Sequence, residues 1–542
     1  MNIIENSNFQ DGTNEWFLLG NCTVSVEVGS PHILPRMARD SLGSYKSLSG
    51  LYILVANRSD SWMGPAQIIT DKLKPYMTYQ VSAWVRTGPG AISPQTINVA
   101  FSVDGQWMNG GEVECIDDKW NEIGGSFRIE KQPSNVMVYV QGPAAGVDLM
   151  VSGLQVFPVD RRARFKYLKN QTDKIRKRDV ILRLGTSDVV GNSIKITQLQ
   201  NSFPLGSCIT RTSLDNDEFV KFLVNFNWVV FENEMKWSWT EPQQGKSNYK
   251  NADEMLEFCN SHNLQVRGHC IFWDMEYAIQ QWVRSLNRTD LMAAVQNRIT
   301  ELLTRYKGKM RHYDVNNEML HGTFYEDRLG NDIGANMFKA AHRLDTTATL
   351  FVNDYHIEDG SDIRSTPEKY IEQVVGLQAK GAQVGGIGIQ AHIDAPIGAI
   401  VGSALDKLAT LGLPVWFTEL DVSSSNEYIR ADDLEVMLRE AFAHPAVEGV
   451  ILWGFWELYM SRKNAHLVNA NGNINAAGKR FLALRKEWLS NTDGRINEQG
   501  EFRFRGIHGT YNVEIVSSSG KLINKTLVVD PGESPLVVSF ET

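Results

Sequence analysis

The chain is poor in the features that would tie it to metals, membranes or polyanions. Its 542 residues hold five cysteines, Cys22, Cys115, Cys208, Cys259 and Cys270, widely spaced and without a CxxC pair. That spacing excludes a thiol-rich metal site and predicts mostly buried thiols with at most a bridge or two. No apolar stretch approaches the roughly 18 residues a membrane helix needs. Positive charge is in deficit, 54 Lys+Arg against 63 Asp+Glu for a net −9, so nucleic acid and anionic membranes are not attracted and a neutral ligand suits the surface equally well. The one basic run, RRARFKYLKNQTDKIRKR at 161–178, reads as a solvated helix face joining two domains.

What is present is ordinary globular protein, 42% hydrophobic and 10% aromatic, in a chain too long for one core. Residues 1–157 alternate with period two through LYILVA, YQVSAWVRT, TINVAFSV, GGSFRI, VMVYVQG and LMVSGLQVF, with Gly, Pro, Asn and Asp between them. This predicts a β-sandwich. A basic helical connector follows over 158–195. From 196 to 491 eight apolar strands, 203–209, 228–234, 265–273, 311–318, 349–356, 385–392, 414–422 and 449–457, alternate with amphipathic helical segments. Eight such units predict an α/β fold, a closed (β/α)₈ TIM barrel. A doubly wound sheet is the competitor, but no glycine-rich phosphate turn follows the first strand. Residues 492–542 return to alternation and predict a small C-terminal β appendage, too short to bury much by itself.

In such a barrel polar groups gather where the strands stop. The predicted ends carry Glu232, Asn233, Glu234 and Lys236; His269 and Trp273; Asn316, Asn317 and Glu318; Asn353, Asp354, Tyr355 and His356; Gln390 and His392; Glu419 and Asp421; and Trp453, Trp456 and Glu457. Strands four and seven stand on opposing arcs, so Glu318 and Glu419 can face each other. Two opposed carboxylates with aromatic platforms suit cleavage of a glycosidic bond, one giving a proton to the departing oxygen and the other meeting the oxocarbenium-like carbon. Each residue also has a plainer reading, a strand-end ion pair for the glutamates or core packing for Trp453.

At these residues the sequence resembles glycoside hydrolase family 10, the endo-1,4-β-xylanases, and more narrowly its plant members. ENEMKWSWTEPQQGKSNY, VRGHCIFW, YDVNNEML, NDYHI, GIGIQAHI and FTELDV match in order. The resemblance implies that Glu318 is the general acid/base and Glu419 the nucleophile of a retaining mechanism, with carboxyls about 5–5.5 Å apart and Glu318 raised in pKa. It further implies Glu232, Asn233, Lys236, His269, Trp273, Asn317, Tyr355, Gln390, His392 and Trp453 as sugar contacts, Asn317 on the 2-hydroxyl and His392 orienting Glu419. No metal or other cofactor is implied, and a metal-dependent hydrolase built on His269, His392 and Asp394 would lack a supporting ligand set. The chain departs from many microbial members at Asp274, where they have His, and near Ser461, where they carry a second Trp.

NSNFQDGTNEWFLLG, NRSDSWMGPAQIITDKL, YQVSAWVRTG and VMVYVQGPAAGVDL resemble carbohydrate-binding module family 22. Its motif implies Arg58, Trp62, Tyr139 and Gln141 as sugar contacts, with Gln141 standing where the family often has Glu. A sandwich that only stabilises the barrel is the alternative.

The expected activity is therefore hydrolysis of internal β-1,4 bonds in xylan or arabinoxylan, with a xylan endotransglycosylase or a catalytically silent wall-binding protein as alternatives. The expected partner is a xylan-type polysaccharide, with the module acting as a tether that raises local substrate concentration. Such a substrate implies an extracellular or cell-wall address. Met1 leads into NIIENSNFQDG without a signal-peptide pattern, which leaves a cytoplasmic precursor or a truncated gene model open beside that expectation. N-x-S/T sites at Asn21, Asn57, Asn170, Asn287 and Asn524 matter only on the first reading.

Overall fold

In the computed structural model, residues 1–540 are described apart from 44–46, 93, 117–118 and 186. The central region closes into a barrel of parallel strands: β1 (Leu205–Ile209), β2 (Trp228–Phe231), β3 (Gln265–Gly268), β4 (His312–Asp314), β5 (Thr349–Asp354), β6 (Gly386–Ile389), β7 (Val415–Val422) and β8 (Val447–Leu452). Each pairs with its sequence neighbour, and Leu205 opposite Val450 shuts the ring. Strands buried on both faces read as continuous apolar runs, which is why all eight were legible. Most are shorter than their runs. The surplus leaves the barrel to build the rim of its open end: Phe272–Trp273 pairs with Asn316–Asn317, and His392–Ile393 pairs with Asp421–Val422.

The barrel interior is not purely apolar. Beside Trp228, Phe351, Trp416 and Ile451, Arg267 is buried and forks onto Asp314 at 3.1 and 2.7 Å. Asp314 also accepts from His269 Nδ1 at 2.8 Å. Burial alone would raise Asp314, but Arg267 and His269 outweigh it and hold the carboxyl down at about 2. A charged floor of this kind locks the His269 ring from below.

The N-terminal region is a sandwich of two antiparallel five-stranded sheets. One runs Phe17–Leu18, Pro65–Ile68, Val136–Gln141, Gln95–Val103, Gln106–Cys115; the other Thr23–Val28, Leu51–Ala56, Leu149–Pro158, Tyr79–Thr87, Asn121–Phe127. Inward residues such as Val81, Val138 and Val151, with Phe101 stacked on Phe127 at 3.8 Å, fill the space between them.

Two expectations about the remaining chain need correction. The basic connector is helical only over Arg161–Arg176. Lys177–Arg183 and Ser193–Asn201 are strands, and they pair with Glu501–Ile507, Leu536–Ser539, Asn491–Arg495 and Gly509–Val516. The C-terminal appendage thus gains a core, with Val180, Leu182 and Ile196 packing on Tyr511, Val513 and Val529. Nor is the helix face simply solvated. Arg161 reaches Asp433, Arg164 clasps Glu440 at 2.6 and 2.9 Å, and Arg176 donates to the carbonyls of Phe442, His444 and Val447. The five cysteines are free thiols, so no bridge forms.

Candidate active site

The open end of the barrel holds a cleft of about 640 Å³. All twelve barrel residues implied by the motifs line it: Glu232, Asn233, Lys236, His269, Trp273, Asn317, Glu318, Tyr355, Gln390, His392, Glu419 and Trp453. They converge because each sits at or just past a strand end, the one ring where a closed parallel sheet brings distant segments together. Three backbones there lie in the left-handed region, Glu318 at φ 64°, His356 at 58° and Ala391 at 64°. Strain of this kind in non-glycine residues gathers at functional sites.

Glu318 is held from two sides. Trp273 Nε1 donates to its Oε2 at 2.8 Å and Gln390 Nε2 to its Oε1 at 3.1 Å. Burial raises its pKa, these two hydrogen bonds oppose the rise, and the nearby charges of Glu419 and Asp354 add to it; the net shift is upward. Glu419 goes the other way. Burial would raise it, but the His392 hydrogen bond, the fields of His269 and His392 and the Asn353 amide together hold it below the usual carboxylate value. His392 explains the difference. Its Nε2 reaches Glu419 Oε1 at 3.1 Å and its Nδ1 reaches Asp421 Oδ1 at 2.8 Å. Burial disfavours the charged ring, yet Asp421 and Glu419 carry its pKa up to about 10, so it stays an imidazolium.

Amides tie the two carboxyls into one network. Asn353 Nδ2 donates to Glu419 Oε2 at 2.8 Å and to Asn317 Oδ1 at 3.0 Å, and Gln390 Nε2 stands 3.5 Å from the same Asn317 oxygen. With Oδ1 occupied as acceptor, Asn317 presents its Nδ2 as the donor. Lys236 Nζ lies 4.8 Å from the Trp273 ring centre and donates to Asn233 Oδ1 at 2.8 Å. Tyr355 stacks flat on His321 at 3.8 Å, with His321 bridging Asp354 and Asp362. Trp453 lines the cleft, meets His269 and His392 at steep interplanar angles and is 7% exposed.

Some contributors carried no such signal. Asn353 and Asp421 were visible as strand-end polar groups without a role. Arg462 was not singled out, and it lines the cleft while binding Asp421 at 2.7 Å and Asp394 at 2.6 Å. Ser461 lines the cleft beside it. Asp274 instead turns inward, 4% exposed, accepting from the Tyr325 amide at 2.9 Å, with burial pushing its carboxyl up to about 7.

The sandwich treats its candidates differently. Arg58 is 2% exposed and spends its guanidinium on the carbonyls of Met63, Ser61, Pro143, Ala144 and Val147, so it is a structural clamp and not a sugar contact. Tyr139 is largely covered among Ala66 and Ala100, Gln141 is half-buried at a strand end, and Trp62 is exposed.

Comparison with known proteins fits this division. Residues 195–482 match glycosyl hydrolase family 10. Residues 1–146 match a carbohydrate binding domain of the CBM_4_9 type, which overturns the expected family 22 assignment of the module. Endo-1,4-beta-xylanase 1 of Arabidopsis thaliana is 63% identical over 100% of this chain and 58% of its own length. Endo-1,4-beta-xylanase 3 of the same plant is 60% identical over 100% of this chain and 74% of its own. The chain thus spans a little over half the length of the first of these. A solved GH10 structure from Paenibacillus barcinonensis is 26% identical, covering 53% of this chain and 95% of that one, with a TM-score of 0.48.

Proposed function

This chain belongs to glycosyl hydrolase family 10, and from that premise we propose that it hydrolyses internal β-1,4 bonds of xylan with retention at the anomeric carbon. The observation that carries the reading is the opposed tuning of two carboxyls in one cleft, Glu318 raised and Glu419 lowered. Pairs pushed apart in this way divide into acid and nucleophile. Glu419, ionised and oriented by the His392 imidazolium, attacks the anomeric carbon. Glu318, still protonated, gives its proton to the departing glycosidic oxygen, and the carbon–oxygen bond breaks. A glycosyl ester on Glu419 results. Glu318, now a carboxylate, takes a proton from water as the water oxygen displaces Glu419, which restores both groups.

The donor face of Asn317 suits the 2-hydroxyl of the sugar beside Glu419. Asn233, Lys236 and Glu232 furnish a polar wall on the β2 side. A polysaccharide substrate of this kind also supports a cell-wall address. The test is stereochemical. Proton NMR during digestion of xylohexaose should show the β-anomer first, with the α-anomer growing only by mutarotation. Early α-anomer would sink the nucleophilic role of Glu419, and release from cellulose but not xylan would sink the substrate.

A further inference from the structure

A second cleft of about 640 Å³ opens between the sandwich and the barrel, and it shares His392 and Arg462 with the catalytic one. One wall is sandwich, residues 108–111 and 125–128; the other is barrel loop, including Asp394 and Asn464. The walls are fixed relative to each other. Arg128 forks onto Asp433 at 2.7 and 2.6 Å, Asn109 donates to the Ser361 carbonyl at 2.8 Å, and Glu130 accepts from Ser424 and Ser425 at 2.5 and 2.6 Å. Gly360 lies so close that a Cβ there would stand 2.1 Å from the Gly124 carbonyl oxygen. The gap is a built volume, in the range of about 300–1,000 Å³ typical of ligand sites.

Its chemistry favours an uncharged sugar chain. Each of its basic side chains, Arg128, His356, His392 and Arg462, is already paired with a carboxylate. None is left over to neutralise a uronic acid. The Ser126 hydroxyl and the Asn464 amide have no protein partner among the described residues, and Met108, 38% exposed, offers an apolar flank beside them. A polymer cut internally must leave the catalytic cleft at both ends, and at the His392–Arg462 end the sandwich stands over its exit.

We infer that this seam is a distal subsite in which sandwich and barrel together hold an undecorated stretch of the β-1,4-linked pentose chain beyond the catalytic cleft. The inference rests on the reading of the chain as a xylan hydrolase. Ser126→Trp and Met108→Trp fill the seam from the sandwich side, Ser126→Ala removes the hydroxyl alone, and thermal melting verifies folding. For linear xylo-octaose, kcat/KM should fall about tenfold in each Trp variant, chiefly through KM, as expected for the loss of one or two hydrogen bonds and their flanking contacts. Turnover of an aryl β-xylobioside should stay within about twofold in all three variants, and Ser126→Ala should lose about two- to fivefold on xylo-octaose, less than either Trp variant. Calorimetry in the Glu318→Gln background should show the same loss of xylo-octaose affinity. Equal effects on long and short substrates overturn the inference, as does a loss confined to glucuronate-bearing oligosaccharides, which would mark a side-chain pocket. If the parent cleaves neither substrate, the hydrolase reading has failed; the calorimetry still decides the subsite, weaker binding in the Trp variants supporting it and unchanged binding overturning it.

Discussion

The barrel and the sandwich use the residues that the sequence singles out in opposite ways. In the barrel twelve of twelve meet in one cleft, whereas in the sandwich Arg58 is consumed by backbone carbonyls, Tyr139 is covered and Trp62 alone is well exposed. The difference has two sources: the sandwich residues come from a family 22 motif that the module does not match, and the two topologies differ. A closed parallel sheet puts every strand end on one ring, so a polar residue there meets the others whatever its sequence distance. An antiparallel sandwich sends alternate residues in and out, and turns at its rim decide what reaches solvent. Strand-end polar residues therefore converge on one site in the barrel, a convergence that the antiparallel sandwich does not impose.

The sharpest way to test that contrast is at the two glutamates. Glu419→Ala should lower kcat on xylan by on the order of 10⁴-fold or more. Glu318→Gln should lower kcat/KM by about 10²–10⁴-fold on natural linkages and much less on aryl xylosides, whose leaving groups need no proton, while kcat on the aryl substrates still falls because deglycosylation has lost its base. Steady-state kinetics on both substrate types separates the roles. Similar losses of kcat/KM for both variants on an aryl xyloside would mean the division of labour is wrong.

The pH profile should follow from the same pair. The active form has Glu419 ionised and Glu318 protonated. Since Glu419 lies below the ordinary carboxylate value and Glu318 above it, kcat/KM should form a plateau that falls on the acid side as Glu419 takes a proton and on the alkaline side as Glu318 loses one. Asp421→Asn removes the carboxylate that holds the His392 charge, so the acid limb should move to higher pH while the alkaline limb stays. A shift of the alkaline limb alone would contradict the relay from Asp421 through His392.

At the seam the two regions stop being separable. Asp433 is fully buried and takes both Arg128 and Arg161. Asp433→Ala leaves two guanidiniums without their anion, and breaking a buried pair costs about 3–5 kcal/mol. Gly360→Ala adds a Cβ against the Gly124 carbonyl at a φ of 71° and should cost about 1–3 kcal/mol. Either change should make residues 1–157 behave as the tethered module that the sequence suggests. Limited proteolysis should then cut near the connector, with xylo-octaose turnover hurt more than aryl xylobioside turnover.

The sequence was most legible where burial writes a pattern. Eight runs buried on both faces gave the barrel, and alternating runs such as YQVSAWVRT gave the sandwich. The run ending in IFW was read as one strand because its hydrophobicity continues across the point where the backbone leaves the barrel for the rim. KRDVILR falls inside the helical connector, and SIKITQLQN across its boundary with the barrel at 195, because their partners, such as Phe502 opposite Leu182 and Asn491 opposite Thr197, lie about 300 residues away. The arginines of that connector carry no local mark of the buried carboxylates they meet, so their face read as solvated. Arg462 was silent for the same reason, since its meaning depends on Asp421 and Asp394, 41 and 68 residues distant.

The smallest effects fall in the sandwich, where they discriminate most finely. Arg58→Ala strips donors from five carbonyls around the 142–147 turn, and a buried acceptor left unmet costs about 1–3 kcal/mol. The melting temperature should therefore drop while catalysis on short oligosaccharides is unchanged. Trp62→Ala, at an exposed site, should alter stability by less than about 0.5 kcal/mol. Its effect, if Trp62 meets sugar, should appear only as lower retention on insoluble xylan in affinity electrophoresis. Should Arg58→Ala melt like the parent yet lose xylan retention, the guanidinium serves sugar after all, and its clamp on the surrounding carbonyls is not what holds the turn.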